Sequence, residues 1–165
     1  MKWQKFEHPD FPGQNVEIGG FAPFAKSNPP EKLLPKLVAS HAKFLNELVR
    51  KLPRIQFRKV AAKHLGDSVF EMTVQVENSG YLPTTLVQGD LTREVPPTRV
   101  VLDVEAKQIL SGAPTTTMAP IQGSGGMREL RYVVFAGERK ALNVKAVSTL
   151  AGTISTNVVL ERKNP

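Results

Sequence analysis

At Ile55 the spacing of apolar side chains changes from three and four residues to two, which restricts the chain to a helix followed by a run of strands. Before the switch, Leu34, Leu37, His41, Phe44 or Leu45, Leu48 and Leu52 recur at helical intervals, so one face is apolar. Lys36, Lys43, Glu47 and Arg50 fall on the opposite face, a mixed charged surface suited to solvent. The pattern predicts a helix over 30–52, with Asn28 as N-cap, Pro29 at the first helical position and Glu31 three residues after the cap. Pro35 is early enough to be tolerated, although it can displace the start by a turn, and Pro53 ends the helix.

After the switch, Phe70, Met72, Val74 and Val76 alternate with Glu71, Thr73, Gln75 and Glu77, the signature of a half-buried strand. Val100, Leu102 and Val104 repeat it, and further strands are expected over 55–64, 128–136, 140–149 and 153–162. Gly66-Asp67, Asn78-Ser79-Gly80, Ala136-Gly137 and Ala151-Gly152 supply the turns. With no helical pattern between them, the strands predict a mainly β domain over 55–165, an antiparallel immunoglobulin-like β-sandwich. A transthyretin-like sandwich is the other arrangement this pattern admits. Two irregular stretches, 78–97 and 111–127, interrupt the strands and are long enough to serve as binding loops.

Residues 1–54 form the other part, an irregular arm and the helix. The arm strings Trp3, Phe6, Phe11, Phe21 and Phe24 through a segment rich in Pro and Gly, more large rings than a free linker carries. They cover the chain's own sandwich or dock on another domain; the second is the expectation taken forward. The chain has 165 residues and no window near the roughly 18 consecutive apolar residues that would span a bilayer. Cysteine is absent, which removes disulfides, thiolate nucleophiles and cysteine zinc sites. The opening MKWQKFEHPD has charge and proline where a signal peptide needs an apolar run, so any export signal belongs to a longer parent. The compartment is unassigned, with a secreted or periplasmic parent left open.

The net charge of +7 is spread along the chain: residues 1–54 carry nine Lys/Arg against five Asp/Glu, and residues 55–165 carry thirteen against ten. Arg50, Lys51 and Arg54 cluster at the helix end, where cations complement the helix dipole. Without interleaved aromatics or a recognition motif, this charge predicts no nucleic-acid partner. Catalytic constellations are also missing. His8, His41 and His64 are isolated, and none has the spacing of a zinc hydrolase motif. Ser111 and Ser124 lack a nucleophile elbow, and Gln122-Gly123-Ser124-Gly125-Gly126 lacks the Lys-Ser/Thr ending of a phosphate loop and reads as a flexible hairpin connection. Glu17, within VEIGG, reads as structural, accepting hydrogen bonds from a neighbouring turn.

Four segments share one further likeness. HPDFPGQNVEIGG at 8–20, NPPEKLL at 28–34, the helix end at Leu52-Pro53 and ENSGYLPT at 77–84 occur in the same order in certain bacterial zinc carboxypeptidases, just after their catalytic part. The chain resembles the C-terminal region of that family over nearly its whole length. It departs in a slightly longer turn after His8-Pro9 and in Phe21, where Trp is usual. The resemblance implies a non-catalytic accessory module, not an enzyme, with the peptidase domain and its zinc expected before Met1 and no cofactor in this chain. The partner it implies is that peptidase domain, in cis or in trans. Trp3, Phe6, Phe11, Phe21, Phe24, Leu37 and Phe44 are then the candidate docking residues. The alternative is an autonomous module binding carbohydrate, cell wall or protein through the 78–97 and 111–127 loops, for which Tyr81 is the candidate contact.

Overall fold

The computed structural model describes residues 1–22 and 25–162 and divides into two units, Met1–Glu47 and Leu48–Pro165. The division falls inside the long helix, so its last turn belongs with the β domain.

In the first unit, β1 (Gln4–Lys5) pairs antiparallel with β2 (Glu17–Ile18), Gln4 opposite Ile18 and Lys5 opposite Glu17. A 3-10 turn over Glu31–Leu33 leads into α1 (Leu34–Arg50). Asn28 is not the cap. The residue ahead of the 3-10 turn is Pro30, extended at φ −56 and ψ 142. The Pro29-Pro30 pair is the reason: a proline disfavours α geometry in the residue before it, which keeps the helix from starting at Asn28 or Pro29. Pro35 has no N–H to offer the Glu31 carbonyl, and the regular helix begins about one turn later than Pro29.

The second unit is mainly β. It comprises β3 (Ile55–Gly66), β4 (Val69–Asn78), the short helix α2 (Val87–Thr92), β5 (Arg99–Leu102), β6 (Ile109–Ser111), β7 (Thr115–Thr117), β8 (Gly126–Phe135), β9 (Ala141–Ser148) and β10 (Gly152–Val159). They form two four-stranded antiparallel sheets, ordered β3-β4-β8-β6 and β10-β9-β5-β7. One apolar core joins them. β4 and β8 contribute Phe70, Met72, Val74, Val76, Tyr132 and Val134; β5 and β9 contribute Val100, Leu102, Leu142, Val144 and Ala146. This is a sandwich arrangement, produced by the twofold alternation: along β4 every second residue is fully buried.

The expected strands are present, with altered limits. β5 stops at Leu102 because the chain folds back there, the Val104 amide donating to the Leu102 carbonyl at 2.9 Å. A 3-10 turn over Ala106–Gln108 follows, with the Gln108 side chain accepting from the Glu105 amide at 3.1 Å. The 111–127 stretch is less irregular than its composition implies, since Thr115–Thr117 is β7, paired with β5. Likewise 78–97 contains α2. Three residues are too few for periodicity to register.

Candidate functional site

Asn78 occupies the last inward position of β4, where alternation calls for an apolar residue, and it is completely buried. Every polar atom of its side chain is used. Its Oδ1 accepts from the backbone amides of Arg54 and Gly80, each at 3.0 Å, and its Nδ2 donates to the Leu82 carbonyl at 2.8 Å and the Ile121 carbonyl at 3.3 Å. The Leu82 amide in turn donates to the Lys51 carbonyl at 2.9 Å, and the Ser79 amide to the Arg54 carbonyl at 2.9 Å. Thr84, also buried, donates its amide to the Ile121 carbonyl and accepts from the Ile121 amide on Oγ1. ENSGYLPT is therefore a knot that ties the helix exit, the end of β4 and the 120–126 loop together. Its residues are spent on structure, because a buried amide is tolerated only when its donors and acceptors are paired.

The glycine loop belongs to the same knot. The Ser124 amide donates to the Gly80 carbonyl at 2.7 Å and the Gly125 amide to the Asn78 carbonyl at 2.9 Å, while a Cβ at Gly123 would run into the Tyr81 carbonyl. Small size here permits close backbone approach, which corrects the reading of this loop as a flexible connection. Tyr81 itself projects, 65% exposed, with the Lys51 ammonium 5.0 Å from its ring centroid. The cation covers one face of that ring, so a stacking ligand would use the other.

In the first unit, Trp3 lies so close to Gly19 that an added Cβ would sit 2.6 Å from the indole, while Gly20 takes a positive φ of 86°, so each glycine of VEIGG has its own reason. Glu17 is exposed on β2 opposite Lys5. Among the described residues no turn amide donates to its carboxylate, so its structural role is as a cross-strand pair. His8 is held between Phe6 and Phe11, ring centroids 6.0 and 5.0 Å away, and its Nδ1 accepts from the Asp10 amide at 3.2 Å. Trp3, Phe6, Phe11 and Phe21 are all exposed, while Phe24 lies outside the described residues. On α1 only Leu37 is even half-buried; Leu34, Val38, Phe44, Leu45, Leu48 and Val49 are exposed, Phe44 at 63%. These side chains occupy one arc of the helix, and Lys36, Lys43 and Arg50 lie opposite it. Val38 and Val49 are the members that the three-and-four spacing passed over.

His64 Nε2 lies 2.8 Å from the Asp67 carbonyl, to which it can only donate, and its ring is 5.0 Å from Phe70. His41 is exposed on α1. Among the described residues no three His, Cys, Asp or Glu side chains converge as a metal site would require. Glu129 is held below the usual carboxylate range, first by the Gln75 amide at 2.6 Å and then by Arg131 at 2.8 Å, on the exposed face of β8. Burial pushes the Tyr132 phenol up. Thr116 lies near enough to oppose part of that shift, but not in hydrogen-bonding geometry. None of these perturbed groups stands in a cleft with a catalytic partner.

The family described as "Domain of unknown function (DUF8731)" matches residues 54–159, and the chain belongs to that family. The match covers the β domain from the residue before Ile55 to the end of β10. No curated protein matches the chain. No helix among the described residues is long and apolar enough to cross a membrane.

Proposed function

We propose that this chain is a non-catalytic docking module, in which the β domain is a rigid support and the apolar arc of α1, with the aromatic arm, is the surface that binds another folded domain. The observation that carries the reading is α1 itself: a 17-residue helix with six exposed large apolar side chains along one arc and its cations opposite. A helix patterned this way hides its arc in a partner and leaves its charges in water. Fully burying each such side chain contributes about 1.5 to 3 kcal/mol, about 9 to 18 kcal/mol for the six, a sum of the same order as the roughly 4 to 15 kcal/mol cost of association. The resemblance of HPDFPGQNVEIGG, NPPEKLL and ENSGYLPT makes a zinc carboxypeptidase-like domain the partner to test first, with zinc and catalysis residing there.

An immunoglobulin-like arrangement is the finer reading of the sandwich. Lettering β3, β4, β5, β8, β9 and β10 as A, B, C, E, F and G, the sheets run A-B-E and G-F-C, the neighbour relations of an immunoglobulin constant domain. The short β6 then extends the first sheet in the place of strand D, and β7 extends the second beside C.

The test is light scattering and hydrophobic-dye binding by the isolated chain. The expected result is dye binding and self-association, both removed by the triple substitution Val38→Ser, Phe44→Ser, Leu45→Ser. A monodisperse, dye-free wild-type chain would refute the docking role. The carboxypeptidase partner is checked separately by reading the coding region upstream of Met1 for an in-frame peptidase domain.

A further inference from the structure

The apolar arc of α1 has one titratable member. His41 lies near the middle of the helix, seven residues after Leu34 and seven before Leu48, both of them in the arc. With about 100° of turn per residue, seven residues return to nearly the same direction, so His41 projects almost in line with these two leucines. One turn away to either end, Leu37 and Phe44 flank it on one side and Val38 and Leu45 on the other. The ring therefore stands at the centre of the surface that docking would cover, where a leucine would complete the stripe.

Nothing on the helix is placed to keep a charge on that ring once water is removed. The four side chains one turn away are apolar, and the charged groups of α1, Lys36, Lys43, Glu47 and Arg50, lie around its other side. Lys51, just past the helix end, sits over the Tyr81 ring instead. Among the described residues no ion pair, hydrogen bond or ring contact reaches His41 from another element, and the side chain is exposed. The other two histidines are held by polar neighbours: His8 accepts from the Asp10 amide, and His64 donates to the Asp67 carbonyl.

We propose that His41 makes the docking surface pH-sensitive: the arc of α1 docks while the imidazole is neutral and is released when it gains a proton. The inference rests on the docking role of α1 and adds its regulation. Imidazoles ordinarily take up their proton between about pH 8 and 5. A neutral ring tolerates burial among leucines, whereas an imidazolium buried there is a charge without a counter-ion, a state that costs far more than the neutral one. Docking and protonation therefore compete, and by linkage association weakens as pH falls through that range. A second copy of the chain presents the same arc, which contains no carboxylate, so self-association of the isolated chain carries the same sign.

The test is sedimentation velocity of the isolated chain at about pH 7.5 and about pH 5, on either side of the ordinary imidazole transition. The expected result is self-association at the higher value that weakens about tenfold or more at the lower. His41→Leu and His41→Gln, both uncharged throughout, are expected to associate equally at the two values, while His64→Gln, on β3, weakens as the wild type does. A weakening caused by unfolding, or by the general gain of positive charge, would persist in the His41 variants. Association independent of pH, association that strengthens at the lower value, or weakening that persists in either His41 variant would overturn the proposal and leave the docking surface standing. Absence of self-association at both values would refute the docking surface and this proposal together.

Discussion

Asn78 shows how one polar residue in an apolar register sets local geometry. Removing its side chain strands the buried Gly80 amide, the Arg54 amide and the Leu82 carbonyl, while the Ile121 carbonyl keeps the Thr84 amide, and each buried group left unpaired costs about 1 to 3 kcal/mol. Asn78→Ala is therefore expected to lower stability by roughly 2 to 4 kcal/mol in urea denaturation, with wild-type behaviour refuting the knot. Tyr132 is the opposite case, a buried phenol whose hydroxyl has no partner. Tyr132→Phe should change stability by less than about 1 kcal/mol in the same assay. Because burial raises the Tyr132 pKa, the folded state keeps a proton that the unfolded phenol releases near pH 10. Above that value the unfolded state binds fewer protons, so stability falls as pH rises, while below it this group adds no pH dependence. In a Tyr81→Phe background, phenolate absorbance should appear only together with unfolding. Its appearance in the folded protein would contradict the burial.

At the scale of elements, α1 is a regular helix whose apolar arc is exposed. On α1 every large side chain of that arc except Leu37 is exposed. The Val38→Ser, Phe44→Ser, Leu45→Ser variant is accordingly expected to retain the thermal midpoint of the β domain within a few degrees while losing dye binding. A large drop in that midpoint would mean that the arc packs internally. The start of the helix gives a second check. A true Ser, Thr, Asp or Asn cap is worth about 1 kcal/mol, so Asn28→Ala should fall below about 0.5 kcal/mol if consecutive prolines, not Asn28, set the helix start. A loss of a full cap's worth by circular dichroism would restore Asn28 to that role.

For the whole molecule, the core begins at Ile55, but its knot reaches back to the carbonyls of Lys51 and Arg54. A chain starting at Leu48 should melt cooperatively at the same midpoint as the corresponding transition of the full chain. One starting at Arg58 should lose about 3 kcal/mol or more, through the buried Ile55 and the missing backbone partners; equal stability of the two would exclude the knot as a structural joint. The change of period at Ile55, the alternation along β4, β8 and β9 and the glycine-marked turns were legible without coordinates, because each is a local consequence of which side of a strand or helix faces apolar surroundings. The candidate docking residues were legible only as hydrophobic excess: composition marks Phe44 and Trp3 as large and apolar, and only the structure shows them exposed. Sequence by itself determined the class of each element and the position of the switch between them. Tertiary structure decided the pairing order of the strands and the use of ENSGYLPT as a buried knot, because these depend on residues far apart in the chain meeting in space, which no local spacing encodes.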